Sequence, residues 1–196
     1  MAEPFRFEAT GIPGLKIVYP FIAADDRGYY MKYYEHNVFE KNGILLTGHE
    51  EAQSKSKKGV IRGLHFQTKH PQAKLVRVVR GEAFDVAVDL RPGSPTFGKW
   101  EGFFLSAENR KMVFIPAGFA HGLMALTEDM LLSYISGDDY DPVTDSGIRW
   151  DDPEIGVRWP LELVEQPVLS EKDQGLPLFS EYVKTVDGDG FTKDRE

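Results

Sequence analysis

The segment "GVIRGLHFQTKHPQAKLVRVVRG" at residues 59–81 sets Arg62, His65, His70 and Lys74 among apolar and β-branched neighbours. Such neighbours favour buried strands, so the ionisable groups need an explanation. A histidine can move protons near neutral pH, and a lysine or arginine can stabilise a developing oxyanion. Two further residues belong beside them: His121 in "PAGFAHGLMA" and Tyr134 in "LLSYISGDDY". A metal site, an acid–base site and a solvated strand edge all use these residue types. Taken singly, each also has an ordinary place in a strand. His65 could be a satisfied half-buried histidine, Lys74 a lysine whose stem lies along apolar surface, and Tyr134 core.

The elements that must position these groups read as strands. "LKIVYPFI" (15–22), "AKLVRVVRG" (73–81), "AFDVAVDLR" (83–91), "WEGFFLS" (100–106), "KMVFIPAG" (111–118) and "LLSYISGDDY" (131–140) are short, rich in β-branched and aromatic residues, and bounded by Gly, Pro or Asn. "RGE" (80–82) and "AENR" (107–110) have the composition of tight hairpin connections. The spacing predicts one helix over 33–43, with Tyr34, Val38 and Phe39 on one face and Gly43 ending it. "LSEKDQGLPLFSEYV" predicts a short helix near the C-terminus. Many strands at near-regular spacing predict an all-β chain closed as a jelly roll, with a few short peripheral helices. At 196 residues one domain is expected, spanning 1–183, with 184–196 as a frayed polar tail. "DGDG" in that tail lacks the spaced ligands and closing Glu of a calcium loop.

Composition removes several function classes. Charged residues are 28% of the chain and apolar residues 41%, which fits a soluble globular protein. A net charge of −8 argues against nucleic acid as partner. The absence of cysteine removes disulfides, thiolate nucleophiles and Cys-based metal sites. The segment "MAEPFRFEATG" has no apolar stretch of signal type, and no run approaches membrane-span length. A cytoplasmic protein with no membrane partner is the expectation.

The opening segment resembles the first motif of the cupins, a jelly-roll superfamily. Gly59 is followed after five residues by His65, and Lys74 after six by Gly81. Pro116, Gly118 and His121 match the second motif. The cupin metal set, however, is broken: Gln67 stands at the second His position and Lys74 at the Glu position. A catalytic metal takes about three protein ligands, typically His and carboxylate, and only His65 and His121 are present. The residues suit metal-free proton transfer next to a carbonyl instead. An epimerisation needs a base on one face of the carbon and an acid on the other, and Tyr134 is the candidate acid.

Longer stretches sharpen the resemblance. "DDRGYYMKYYE", "GVIRGLHFQ", "PQAKLVRVVRGEAFDVAVDLRPGSPTFGKW", "LSAENRKMVFIPAGFAHG", "DSGIRWDDPEIGVRWP" and "LSEKD" occur in order from about residue 15 to 180. Together they resemble the dTDP-4-dehydrorhamnose 3,5-epimerase family. The resemblance implies a cupin fold, no metal or organic cofactor, and inversion at C3 and C5 of a 4-keto-6-deoxyhexose carried on a nucleotide diphosphate. By position it implies His65 as base, Asp173 as its carboxylate partner, Lys74 at the enolate oxygen and Tyr134 as the acid on the opposite face. Arg27, Arg62, Asp85 and His121 are implied as substrate contacts, and Tyr140 either stacks on substrate or packs. It further implies a homodimer in which N-terminal strands cross to the partner.

The nucleotide side departs from the family pattern. Lys32 stands where a Glu is usual, and Glu50, Glu51 and Ala52 occupy the usual Gln-x-Asn. Lys32 and Glu50 could have exchanged roles as a compensating pair, or the base recognised could differ, since a carboxylate suits an amino group better than thymine carbonyls. A relative acting at one carbon, a ketoisomerase and a non-catalytic sugar-nucleotide-binding cupin are the other classes to separate. Trp150 and Trp159 are expected to cap the barrel end.

Overall fold

A computed structural model describes residues 2–189. Its strands are β1 (Ala2–Glu3), β2 (Arg6–Ala9), β3 (Lys16–Tyr19), β4 (Phe21–Asp25), β5 (Gly28–Lys32), β6 (Glu50–Ser56), β7 (Ile61–Gln67), β8 (Lys74–Arg80), β9 (Glu82–Asp89), β10 (Trp100–Ser106), β11 (Met112–Ile115), β12 (Phe119–Ala125), β13 (Met130–Ser136) and β14 (Asp145–Gly147). Three short helices accompany them: α1 (His36–Lys41), α2 (Glu171–Gln174) and α3 (Phe179–Asp189). One sheet runs β10-β9-β12-β7-β14 and the other β2-β3-β11-β8-β13-β6, while β1-β4-β5 form a separate ribbon. Two antiparallel sheets folded face to face are the cupin-type jelly roll that the strand pattern predicts.

Alternation along the strands explains both faces of the five-stranded sheet. In β9, Ala83 and Ala87 enter the core between the sheets, whereas Phe84, Val86 and Val88 pack on the other side beneath Trp159, Phe179 and Tyr182. A strand buried on both faces reads as a continuous apolar run. The outer face of the six-stranded sheet buries Leu75, Met112 and Phe114 against Phe39 of α1.

Local signals and global pairing diverge at several points. Gly81 does make a tight connection, with φ of 75°. It joins β8 to β9 across the two sheets rather than closing a hairpin. The 107–110 turn does the same between β10 and β11. Turn composition encodes a reversal, not the partner strand. The apolar run at 15–22 is two strands in different sheets, divided at Pro20, which has no N–H for a ladder. Helix α1 covers only 36–41: Glu35 is its extended cap at φ −147°, and its carboxylate is taken by Lys32. Helix α3 runs through Asp189, so residues 184–189 of the expected frayed tail are helical. Phe179 and Tyr182 seat its first turn in the core, and the Glu181 carboxylate accepts from the Leu178 amide. A nucleated helix extends over polar residues at little further cost. Residues 190–196 of that tail lie outside the described residues.

Candidate active site

Strand register alone brings the chemistry together. On the six-stranded sheet Ser136 pairs with both Lys74 and Glu50, and Tyr134 with both Val76 and Ala52. Val76 lies in the core between the sheets. Lys74, Tyr134, Ser136 and Glu50 therefore face inward, because residues two apart on a strand share a face. On the five-stranded sheet His121 pairs with His65 and Ala87, and Leu123 with Arg62 and Asp85. Three steps on β7 thus match two on β12, which is a β-bulge. Simple alternation would put Arg62 and His65 on opposite faces; the bulge turns both into the cup. Gly63 makes it possible. Its φ is 119°, and a Cβ there would lie 2.6 Å from the Gly122 Cα.

The base side is a dyad. His65 Nε2 lies 2.5 Å from Asp173 Oδ1, with the carboxylate buried and the imidazole 30% exposed. Donation from Nε2–H to the carboxylate fixes that tautomer and leaves Nδ1 free to take a proton. Asp173 is held by its own helix cap, its amide donating to Ser170 Oγ at 3.1 Å. Burial pushes the His65 pKa below its ordinary value, while the Asp173 carboxylate opposes that shift. A neutral imidazole at neutral pH is the consequence.

The facing sheet supplies the cation and the phenol. Lys74 Nζ sits 5.7 Å from the centroid of the Tyr134 ring. Burial lowers the Lys74 pKa, opposed by Asp145, Asp85 and Glu50. Burial and the Glu50 charge raise the Tyr134 pKa, with Arg62 acting the other way. A phenol that keeps its proton until needed is a competent acid. Deeper in the cup His121 Nε2 lies 2.8 Å from Asp85 Oδ2, and the other oxygen of this fully buried carboxylate has no partner among the described residues. Arg62 donates to Ser56 Oγ at 3.0 Å and to the Lys55 carbonyl at 3.2 Å.

The cupin metal set does not fit these residues. Both histidines have Nε2 committed to a carboxylate, the third position carries the Lys74 amine, and the fourth carries Gln67. The buried Gln67 amide is spent elsewhere: Nε2 donates to the carbonyls of His70 and Asp139, and Oε1 accepts from the Asp141 amide. His70, from the opening segment, is an exposed loop residue 4.0 Å from Asp138.

Two expected contacts stand apart from the cup within one chain. Arg27 lies in the β4–β5 turn, paired with Asp25 at 2.6 Å and 89% exposed. Lys32 is on the same ribbon, 2.6 Å from Glu35. A Lys32–Glu50 pair, one of the two readings of this departure, is not formed within one chain: Lys32 meets Glu35, and Glu50 Oε1 accepts from the Tyr140 amide at 3.0 Å. The reason is which face each residue takes: Glu50 points into the cup, whereas Lys32 lies near Glu51 on the other face of β6 and three residues from Glu35. Tyr140 is exposed at the rim and donates to Asp145 Oδ2 at 3.0 Å. Trp159 packs on the outer face of the five-stranded sheet, its Nε1 donating to the Trp150 carbonyl, rather than over the barrel end.

Sequence reasoning passed over Asp145 and Lys172. Asp145 pairs with Gln67 on β14, so it shares the inner face, and it accepts from Lys172 as well as Tyr140. Both lie inside stretches already singled out, "DSGIRW" and "LSEKD"; adjacency of Lys172 to Asp173 was the available signal.

A jelly-roll cup with a His–carboxylate dyad on one sheet and a lysine and tyrosine on the other defines an acid–base protein of cupin type. The profile of the dTDP-4-dehydrorhamnose 3,5-epimerase family matches residues 9–181. The dTDP-4-dehydrorhamnose 3,5-epimerase of Methanothermobacter thermautotrophicus is 51% identical over 174 residues, covering 89% of this chain and 94% of that protein. A dTDP-4-dehydrorhamnose 3-epimerase of Streptomyces niveus is 40% identical over 178 residues, covering 90% and 84%. The crystal structure of dTDP-6-deoxy-D-glucose-3,5-epimerase from Legionella pneumophila Philadelphia 1, in complex with dTDP-4-keto-L-rhamnose, aligns with a TM-score of 0.85 and 42% identity over 89% of this chain and 93% of that one. The chain belongs to the dTDP-4-dehydrorhamnose 3,5-epimerase family.

Proposed function

We propose that the protein is an isomerase that inverts C3 and C5 of dTDP-4-dehydro-6-deoxyglucose to give dTDP-4-dehydrorhamnose. The observation that carries this is the dyad of His65 and Asp173 facing Lys74 and Tyr134 across the cup. The C4 ketone acidifies the protons on C3 and C5. His65 Nδ1 removes one, Asp173 stabilises the imidazolium, and the enolate oxygen is met by the Lys74 ammonium. Tyr134 returns a proton on the opposite face, which inverts the centre; His65 then releases its proton to solvent and the Tyr134 phenolate takes one up, and the cycle repeats at the second carbon. Arg62, the Asp85–His121 pair, Glu50 and Tyr140 line the path of the bound sugar nucleotide.

In this proposal two copies form the working unit. The β1-β4-β5 ribbon with Arg27 and Lys32 stands outside both sheets of its own chain, and Tyr29 and Tyr30 on it are exposed. Lying against a second copy, it would bring a guanidinium suited to a diphosphate to that copy's cup. We further propose a cytoplasmic protein; no helix among the described residues is long and apolar enough to cross a membrane. The test is incubation with dTDP-4-keto-6-deoxyglucose in deuterated water. Deuterium at both C3 and C5 supports the 3,5-epimerase. Deuterium at one carbon moves the assignment to a single-site epimerase, the activity named for the Streptomyces niveus relative. No exchange by a folded protein would refute the substrate.

A further inference from the structure

The buried Gln67 amide makes three hydrogen bonds, and two of them go to one turn. Nε2 donates to the Asp139 carbonyl at 3.2 Å and Oε1 accepts from the Asp141 amide at 2.8 Å. Between those residues, the Tyr140 amide donates to Glu50 Oε1 at 3.0 Å. Three consecutive backbone positions are thus tied by two inward-facing side chains, one from each sheet: Gln67 ends β7 and Glu50 begins β6. The turn itself crosses between the sheets, leaving β13 at Ser136 and entering β14 at Asp145. It carries Tyr140, whose hydroxyl donates to Asp145 Oδ2, the same atom that accepts from Lys172. Lys172 immediately precedes Asp173, the partner of His65.

We propose that Gln67 and Glu50 are positioning residues that set where Tyr140 stands over the cup, and through Tyr140 the Asp145–Lys172 pair beside the dyad. The position where a metal cupin places its second histidine is used here to tie a strap across the mouth. A buried amide that spends a donor and its acceptor on one exposed turn holds that turn in a single place, because releasing it would leave buried polar groups unpaired. The assignment rests on the epimerase function proposed above, with Tyr140 as a rim contact of the sugar nucleotide.

The test is a mutant cycle. Gln67→Leu is close to the native volume and removes all three bonds; Glu50→Gln keeps an acceptor for the Tyr140 amide. Each is made alone and with Tyr140→Ala, and kcat and KM for dTDP-4-keto-6-deoxyglucose are measured together with the thermal midpoint. Gln67→Leu is expected to lower kcat/KM about tenfold or more, mainly through KM. Glu50→Gln keeps that hydrogen bond, so its effect on KM should be smaller than that of Glu50→Ala, which removes it. In the Tyr140→Ala background the Gln67→Leu loss should shrink below about twofold, since residues acting through one another are non-additive. Equal losses with and without Tyr140 would overturn the assignment and leave Gln67 a packing residue. Should Gln67→Leu fail to fold, Glu50→Ala in the same cycle decides by the same criterion. A His65→Ala control separates the two layers. Full turnover in it would sink the epimerase function and this assignment together, whereas a silent His65→Ala control alongside Gln67→Leu losses that do not depend on Tyr140 sinks the assignment alone.

Discussion

Asp173→Asn isolates one charge in the base dyad. The side chain stays nearly isosteric, and the bond from the residue's own amide to Ser170 Oγ is untouched, so α2 keeps its cap. What changes is the partner of the imidazolium. In the native protein His65 Nε2 and Asp173 Oδ1 are 2.5 Å apart and the carboxylate is 6% exposed. A hydrogen bond to a charged partner contributes about 1.5–3 kcal/mol, against about 0.5–1.5 for a neutral one. The imidazolium forms only as the proton leaves carbon, so most of the loss falls on the transition state. The difference, about 1–1.5 kcal/mol, corresponds to roughly tenfold in kcat/KM. The pH profile supplies an independent sign. Burial already holds the His65 pKa down and Asp173 opposes it; without the carboxylate charge the pKa falls further. The base works when neutral, so the acid limb of kcat/KM must move to lower pH even as the plateau drops. Stability should not follow activity, because removing a buried charge relieves its desolvation; the thermal midpoint should stay within about 4 °C of the native value. The assay is initial-rate epimerisation with deuterium incorporation across pH 5–9, roughly the window in which histidine titrates. A plateau within threefold of native with an unmoved acid limb would refute the dyad.

Tyr134→Phe should separate exchange from inversion: deuterium enters with configuration retained while epimer formation falls about a hundredfold, as read by NMR of recovered substrate. The alkaline limb should respond to Glu50→Gln. Glu50 opposes the burial-driven lowering of the Lys74 pKa and adds to the raising of Tyr134, and both groups are proposed to work protonated, so the limb must move to lower pH. An upward shift contradicts the placement of Glu50. Asp89 provides a stability test remote from the cup. Burial alone would raise its pKa, but bonds from Arg91, Ser94 and Thr96 hold it at about 2. A lowered folded pKa means stability that is full above the unfolded value and is lost as pH falls toward 2. Asp89→Asn should therefore lower stability by about 2 kcal/mol at pH 7, with the deficit closing in acid, measured by denaturant unfolding.

The sequence carried the strands of the barrel because β9, β10 and β13 announce themselves by composition. β6 did not: "EEAQSKS" is polar apart from Ala52, and only its pairing with β13 makes it a strand. Pairing is a long-range property, which is why two sheet-crossing corners read as hairpins. Of the residues that meet in the cup, His65 and Lys74 stood out by motif spacing and Tyr134 by its type, whereas Asp173 came only from the family resemblance. The bulge that turns Arg62 and His65 the same way has a glycine as its only local mark, and the register shift shows only once β7 is paired with β12. The ties to Tyr140 were invisible for the same reason, since Glu50 and Gln67 meet a turn more than seventy residues away in the chain.

The jelly roll explains why this chemistry can invert a centre. From β6 to β9 the chain alternates between the sheets, so β7 and β8 deliver His65 and Lys74 to opposite walls from one short segment. Tyr134 then stands on the Lys74 wall, because β13 pairs with β8. A base and an acid on one wall would remove and return a proton on the same face and leave configuration unchanged. With one on each wall, a planar enolate held between them loses a proton to one side and gains it from the other. Moving the base to the other wall should therefore abolish inversion but not exchange. Ser136, which pairs with Lys74 and shares the Tyr134 wall, is the position for that test. A His65→Ala/Ser136→His enzyme that still forms epimer would show that wall assignment does not set the stereochemistry.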